Sequence, residues 1–273
     1  MIKTYATLLG EVKKQKPLIH HITNYVTVND CANITLSIGA SPVMADCQGE
    51  AAEIAGIASA LVINMGTLNS STIPSMIAAG EVANAKGIPV VFDPVGAGAS
   101  RLRNETAMRI INELKLRVLR GNISEIKFVS GLQSKTKGVD ASDADKGDTG
   151  SAAKLAKELA QKLGCIVVIS GEVDAVSDGA KTVLVENGHP WLGNLTGTGC
   201  MCSSLIGSFC GAVHDEPFSA SVAAMATMGI CGELAYEKAG HLGSGSFHEA
   251  LRDAVSQMDQ PTFERLAKIR EQD

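Results

Sequence analysis

Aromatic residues are scarce in this 273-residue chain: they fill 4% of positions, and Trp191 is the single tryptophan. An interior with so few rings must be filled by Ala, Gly, Ile and Val, which suits helices lying close against a sheet. Positive charge is not concentrated either. The net charge is −5 and there is no dense Lys/Arg stripe, which argues against nucleic acid as the main partner. Lys13, Lys14 and Lys16 fall near the end of the first helix, where cations complement its dipole. No uninterrupted apolar run reaches the roughly 18 residues of a membrane span. The amphipathic N-terminus carries Glu11 and lacks the apolar core and cleavage site of a signal peptide. A soluble, cytoplasmic protein is expected.

Familiar motifs are missing too. Without G-x-x-x-x-G-K-[ST] the chain is not a P-loop enzyme. Gly96-Ala-Gly98-Ala-Ser-Arg101 puts Arg where a Rossmann turn needs its last glycine, and His248-Glu249 lacks the second His of a zincin. Cys200-x-Cys202 is not a zinc spacing, and no second pair completes it. The seven cysteines are an odd number. Cys31, Cys165, Cys210 and Cys231 lie in apolar stretches and read as buried, reduced thiols.

What is present is a globular pattern, 45% hydrophobic and 19% charged. Ile2, Tyr5, Leu8, Leu9 and Val12 recur at helical spacing, and Pro17 stops that helix. Further helices are predicted at 27–38, 50–58, 71–86, about 107–114, 123–130 and 151–163. Strands are predicted at 18–20, 42–45, 60–64, 89–93, 117–120 and 165–170. Segments 174–177 and 181–185, joined by Asp178-Gly179, read as a hairpin. The rest reads as helical, at about 199–212, 217–239, 246–257 and 261–271. Strands alternating with helices predict a three-layer α/β fold: a mostly parallel central sheet, helices on both faces and a small antiparallel edge. Nothing marks a boundary or a repeat, so one domain over 1–273 is expected. The 131–150 loop, with Asp140, Asp143, Asp145 and Asp148, lacks the Gly and Glu of a calcium loop and reads as a solvated loop.

In such a sheet ligands bind beyond the carboxyl ends of the strands. Polar residues and glycines recur there: Asn64-Met65-Gly66-Thr67, Asp93 through Gly98, Arg120-Gly121-Asn122 with Glu125, and Ser170-Gly171-Glu172. Asp93 could hold Mg²⁺ directly or through water, or be a turn Asp before Pro94. Glu125 could do the same, or be a first-turn carboxylate that satisfies a helix dipole. Arg120 ends an apolar strand and needs a partner, either a phosphate or a carboxylate. His20 and His21 start a polar cluster with Thr23 and Asn24, where a core or loop histidine is the commoner role. The most informative stretch is Gly197-Thr198-Gly199-Cys200 before a small-residue helix. Its free N–H groups would make an anion site, and the same field should make the Cys200 thiol more acidic; a glycine-rich loop with a small buried cysteine is the alternative reading. Together these point to phosphate chemistry.

The chain closely resembles the hydroxyethylthiazole kinase family, within the ribokinase-like superfamily. The resemblance runs nearly end to end and rests on seven segments in order. They are Pro17-Leu-Ile-His-His-Ile-Thr-Asn24, Gly39-Ala-Ser-Pro-Val-Met-Ala45, Asn64-Met-Gly-Thr67, Asp93-Pro-Val-Gly-Ala-Gly98, Arg120-Gly-Asn-Ile-Ser-Glu125, Ser170-Gly-Glu-Val-Asp174 and Thr196-Gly-Thr-Gly-Cys200. It implies phosphorylation of 4-methyl-5-(2-hydroxyethyl)thiazole by ATP with Mg²⁺, in thiamine salvage. It also implies a homotrimer with each thiazole pocket at a subunit interface. Met44 and Asn24 match substrate-side positions. Arg120 and Ser170 match ATP contacts, Ser170 standing where many relatives have Thr. Gly197 matches the substrate-side glycine of the anion hole, with Gly199 beside it. Cys200 stands where most of the superfamily has an aspartate base, which leaves the base open. The rivals are a kinase for another small alcohol, such as a pyrimidine or pyridoxal-type vitamer, a non-catalytic ligand-binding protein of the same fold, and covalent catalysis through Cys200. No placed His–Cys pair supports the last of these.

Overall fold

A computed structural model describes residues 1–131 and 149–272. The Asp-rich loop expected at 131–150 lies almost wholly outside the described residues. The chain starts with helix α1 (Ile2–Gln15), which ends at Lys16 in the left-handed region, φ 47°. It then alternates strand and helix: β1 (Leu18–Ile22), α2 (Val28–Ile38), β2 (Ser41–Met44), α3 (Ala51–Ala55), β3 (Ala60–Asn64), α4 (Thr72–Ala85), β4 (Val90–Asp93), α5 (Arg101–Glu113), β5 (Val118–Asn122), α6 (Ile123–Ser130), α7 (Thr149–Leu163) and β6 (Ile166–Ser170). The hairpin β7 (Asp174–Ser177) and β8 (Thr182–Val185) follows. Then come α8 (Thr198–Ala212), α9 (Pro217–Ala239), α10 (Ser244–Gln257), α11 (Gln260–Leu266) and β9 (Ile269–Gln272).

Among the described residues nine strands form one sheet, in the order β2-β1-β3-β4-β5-β6-β7-β8-β9. The first six are parallel, and the last three joints are antiparallel. The expected three-layer architecture with its small antiparallel edge is therefore present. Successive strand residues face opposite layers, as a period of two demands. Val62, Val91, Val118 and Val168 pack under α1, α2 and α8–α10. Leu61, Ile63, Phe92, Leu119, Val167 and Ile169 pack under α3–α7.

One expectation fails at the C-terminus. The helix predicted for 261–271 stops at Leu266, Ala267 turns extended, and Ile269–Gln272 adds a ninth strand beside β8. The open edge of β8 offers unpaired backbone groups that a strand satisfies and a helix cannot. Arg270 pairs across the new edge with Glu186. A second difference concerns α9. It is long and apolar enough to cross a membrane, yet 83% of its apolar window is buried inside the molecule. Small residues, not a continuous apolar run, let it lie in the core.

Helix α8 sets the site. Every fourth residue of one face is small, and each meets the sheet at a different height. A Cβ on Gly199 would lie against the guanidinium of Arg120, and Gly207 rests on Val62 of β3. Between them the Ser203 hydroxyl donates to Asp93 at the end of β4. Gly211 reaches Pro17 and Ser59, just before β1 and β3. The helix thus runs antiparallel to the strands, with its amino end over their carboxyl ends. That is where a helix dipole favours an anion.

Candidate active site

Four strands deliver polar side chains to this end of the sheet. Asn64 ends β3 and Asp93 ends β4, and the two are register partners. Arg120 lies in β5 and Ser170 ends β6. Asp93 is fully buried. Its Oδ2 accepts from the Ser203 hydroxyl at 2.7 Å and from Asn64 Nδ2 at 3.1 Å, with Arg120 Nη1 at 3.5 Å. Arg120 Nη2 donates to the Ser170 hydroxyl at 2.8 Å. The partner that Arg120 needed is therefore a carboxylate and a hydroxyl inside the chain, held where a phosphate would also reach it. Burial raises the pKa of Asp93 above the ordinary carboxylate range, outweighing the Arg120 charge and the hydrogen bonds from Ser203, Arg120 and Asn64 that lower it.

Glu125 occupies the third position of α6 and makes a complete capping box. Asn122 Oδ1 accepts from the Glu125 N–H, and Glu125 Oε2 accepts from the Asn122 N–H at 2.8 Å. Its other oxygen accepts from the Gly96 N–H at 2.8 Å. The helix-terminus reading of Glu125 is thus realised, and the residue also ties the β4 loop to α6. Burial, then the nearby charge of Asp93, pushes its pKa up to about 7.

Two observations bear on a divalent cation. Asp93 Oδ1 is buried and has no hydrogen-bond partner, so one carboxylate oxygen is left for an ion or its water. No group of three or more His, Cys, Asp or Glu side chains gathers among the described residues. This donor set fits Mg²⁺, which takes one or two carboxylates and keeps waters and phosphate oxygens. It does not fit an all-protein cage.

The amino end of α8 is built by close approach. Gly197 has φ 90°, and a Cβ there would come within 2.6 Å of Thr27 Cγ2. A Cβ on Gly199 would come within 2.7 Å of Arg120 Nη1. Only glycine allows both contacts. A cavity of about 860 Å³ opens beside this end, lined by Arg120, Ser170, Gly171, Asp174, Thr198 and Gly199, among others. Asp174 Oδ1 accepts from the Gly171 N–H, and burial pushes its pKa up to about 7.

Cys200 is almost fully buried. Its sulfur accepts from Asn24 Nδ2 and Asn64 Nδ2, each at 3.3 Å. The expected gain in acidity is overturned. Burial and then the Asp93 charge raise the thiol pKa, outweighing the donors around it. Met44 ends the edge strand β2, half-buried and opposite His21 in the register, without a polar tie to the cluster. The two histidines are core residues, as their type favours. His20 Nε2 meets the Ala45 carbonyl at 2.7 Å, and His21 bridges the Ile19 carbonyl and the Ser204 hydroxyl.

The family model for hydroxyethylthiazole kinases matches residues 9–261. The chain belongs to the hydroxyethylthiazole kinase family. It is 60% identical to a hydroxyethylthiazole kinase of Ruminiclostridium cellulolyticum, over 98% of each chain. It is 58% identical to one of Clostridium beijerinckii, over 97% of this chain and 96% of the other. The hydroxyethylthiazole kinase protein of Pyrococcus horikoshii superposes with a TM-score of 0.90 at 40% identity, covering 99% of this chain and 100% of that one. An ADP complex of Bacillus subtilis pyridoxal kinase superposes with a TM-score of 0.59 at 17% identity, covering 77% and 89%. That is a likeness of fold alone. Sequence reasoning missed one polar member of the site, Ser203, and gave Asn64 no role of its own. Four-residue spacing from Gly199 would have put Ser203 on the sheet-facing side. Asn64 carried only the weaker signal of a polar residue ending a buried strand.

Proposed function

We propose that this kinase transfers the γ-phosphoryl group of ATP to the hydroxyl of 4-methyl-5-(2-hydroxyethyl)thiazole, in thiamine salvage. The observation that carries this reading is the meeting of the Gly197–Cys200 amides, Arg120 and Asp93 at one end of the sheet. The activity of the family supplies the acceptor.

The chemistry follows from the groups present. Phosphoryl transfer depends mainly on alignment and on stabilising charge, with little covalent work for the protein. ATP lies in the cavity lined by Ser170, Gly171 and Gly199, its phosphates towards Arg120. The free N–H groups from Gly197 to Cys200 bind the oxygens of the group in transit, where fixed dipoles act without reorganising. The thiazole alcohol approaches from the side of Asn24, Met44 and Gly197. Asp93, whose Oδ1 has no hydrogen-bond partner, and Glu125 would hold a magnesium ion, directly or through water. When bound, Mg²⁺ offsets the repulsion between phosphate oxygens. In a loose transition state the alcohol loses its proton late, so no strong base is needed. A thiol of raised pKa at position 200 is compatible with that.

The whole chain works as a single kinase domain and as a homotrimer. Tyr25 is 78% exposed and Val26 55%, and both directly follow Asn24. Leu36 on α2 is also exposed. A neighbouring subunit that covers this apolar rim would close the thiazole pocket. All seven cysteines are free thiols, which supports a reducing cytoplasm. The test is ADP release with ATP, Mg²⁺ and each candidate alcohol. The thiazole should support turnover, and pyridoxal-type and pyrimidine alcohols should compete poorly. Turnover with a pyridoxal-type alcohol and none with the thiazole would favour the rival kinase.

A further inference from the structure

The Cys200 sulfur sits in a hydrogen-bond network whose direction the geometry fixes. Asn64 Oδ1 must be the oxygen, because it accepts from the Gly66 N–H at 2.9 Å. Its Nδ2 must be the nitrogen, because it faces the Asp93 carboxylate. The two atoms cannot be exchanged. Asn24 is oriented by the same logic, since its Oδ1 accepts from the Thr27 N–H at 3.0 Å and its Nδ2 donates to Asn64 Oδ1 at 2.9 Å. Each amide then has one N–H left, and both point at Cys200 Sγ. All four amide hydrogens are used. The Thr27 hydroxyl is the sulfur's third neighbour.

We infer that Asn64 is a positioning residue of the transfer reaction, holding the Cys200 sulfur as a hydrogen-bond acceptor and tying it to Asp93. With two amide N–H groups on its lone pairs, the sulfur is not free to take the proton of the attacking hydroxyl. Cys200 is a fixed wall of the anion site and not its base. Asn64 does three things at once. It orients the thiol, fixes the Gly66 backbone and braces the carboxylate that faces the ion. A substrate-side element (Asn24, Cys200) is thereby coupled to a phosphate-side element (Asp93, Ser203) through one side chain. The inference rests on the proposed transfer only in supposing that Cys200 borders the reacting oxygen.

Asn64→Asp tests it. The substitution keeps the shape and the acceptor for Gly66 and Asn24, removes the two donors, and sets a second carboxyl against Asp93, an effect common to both backgrounds of the cycle below, which therefore cancels in it. In crystals of the parent, Sγ should lie within hydrogen-bond reach of both amides; in Asn64→Asp it should turn away. In kinetics, kcat should fall about tenfold or more while KM for ATP stays within about twofold, because Arg120 and Ser170 are untouched. In a Cys200→Ala background the same substitution should cost at least about fivefold less than in the parent. Equal losses in both backgrounds, or an unmoved sulfur with parental kcat, would overturn the inference. Should Asn64→Asp not fold, Asn24→Asp removes the other donor and enters the same cycle with the same criteria. The crystallographic arm needs no turnover, so it fails separately from the proposed activity.

Discussion

At the residue scale, the account depends on which buried charges have partners. Arg120 and Asp93 are both buried and joined, and an ion pair of this kind loses most when one member goes. Arg120→Met should cost about 3–5 kcal/mol of unfolding free energy, read from the denaturant midpoint, and should leave little activity even in the folded fraction. Cys200 gives the opposite expectation. If positioning and charge carry the reaction, Cys200→Ala keeps measurable turnover. Cys200→Asp is at least as active as the parent, since the two amides that now face sulfur can donate to a carboxylate. A folded but dead Cys200→Ala would mean that the thiol reacts directly. Asp174 supplies a pH test. Its pKa is raised from the ordinary carboxylate range to about 7 by burial, so the native state holds the proton more tightly than the unfolded chain. Its contribution is therefore complete at acid pH and is lost as the pH rises towards 7. Asp174→Asn keeps the acceptor for the Gly171 N–H, and should flatten the fall in melting temperature between about pH 4 and pH 7.

At the element scale, helix α8 combines two tasks that substitution can separate. Gly207 touches only Val62 and Ile19 of the sheet, far from the helix tip. Gly207→Ala should therefore cost about 1–3 kcal/mol from overpacking and leave the kcat of folded protein near the parental value. Gly199→Ala instead drives a methyl group into Arg120 and should remove most of kcat with a smaller change in stability. Two substitutions on one face, eight residues apart, would then report on packing and on chemistry separately. These elements also show what a sequence can reveal. Buried strands such as β3 and β4 are legible because parallel strands covered on both faces must be continuously apolar. The tip of α8 is legible because two glycines before a small-residue helix have few other uses. Cys200 is misread because a helix field is easy to see in sequence, while the burial that outweighs it depends on α2, β1 and β3 closing around the sulfur. The ninth strand is missed for the same reason. Ile269–Gln272 becomes a strand only because β8 has an open edge, and no local pattern carries that fact.

At the scale of the whole molecule, the nine-stranded sheet brings residues 24, 64, 93, 120, 170 and 200 to one end. Residues 176 positions apart in the chain thus share a hydrogen bond, as Asn24 and Cys200 do. The proposed trimer belongs to this scale. Sedimentation should give three times the chain mass of 28.4 kDa, and replacing the exposed Tyr25 and Val26 with Ser should shift the mass to monomer and raise KM for the thiazole more than for ATP. A parental chain that sediments as a monomer with full activity would contradict it. The central claim is that the α8 tip and the Asp93 cluster together move a phosphoryl group to the thiazole alcohol. The most direct measurement is thiazole-dependent ADP release by the parent and by Asp93→Asn, at saturating ATP and Mg²⁺. The account predicts release only when the alcohol is present, and a kcat about 10²–10³-fold lower in folded Asp93→Asn. No thiazole-dependent release by the parent, or parental kcat in Asp93→Asn, would contradict it.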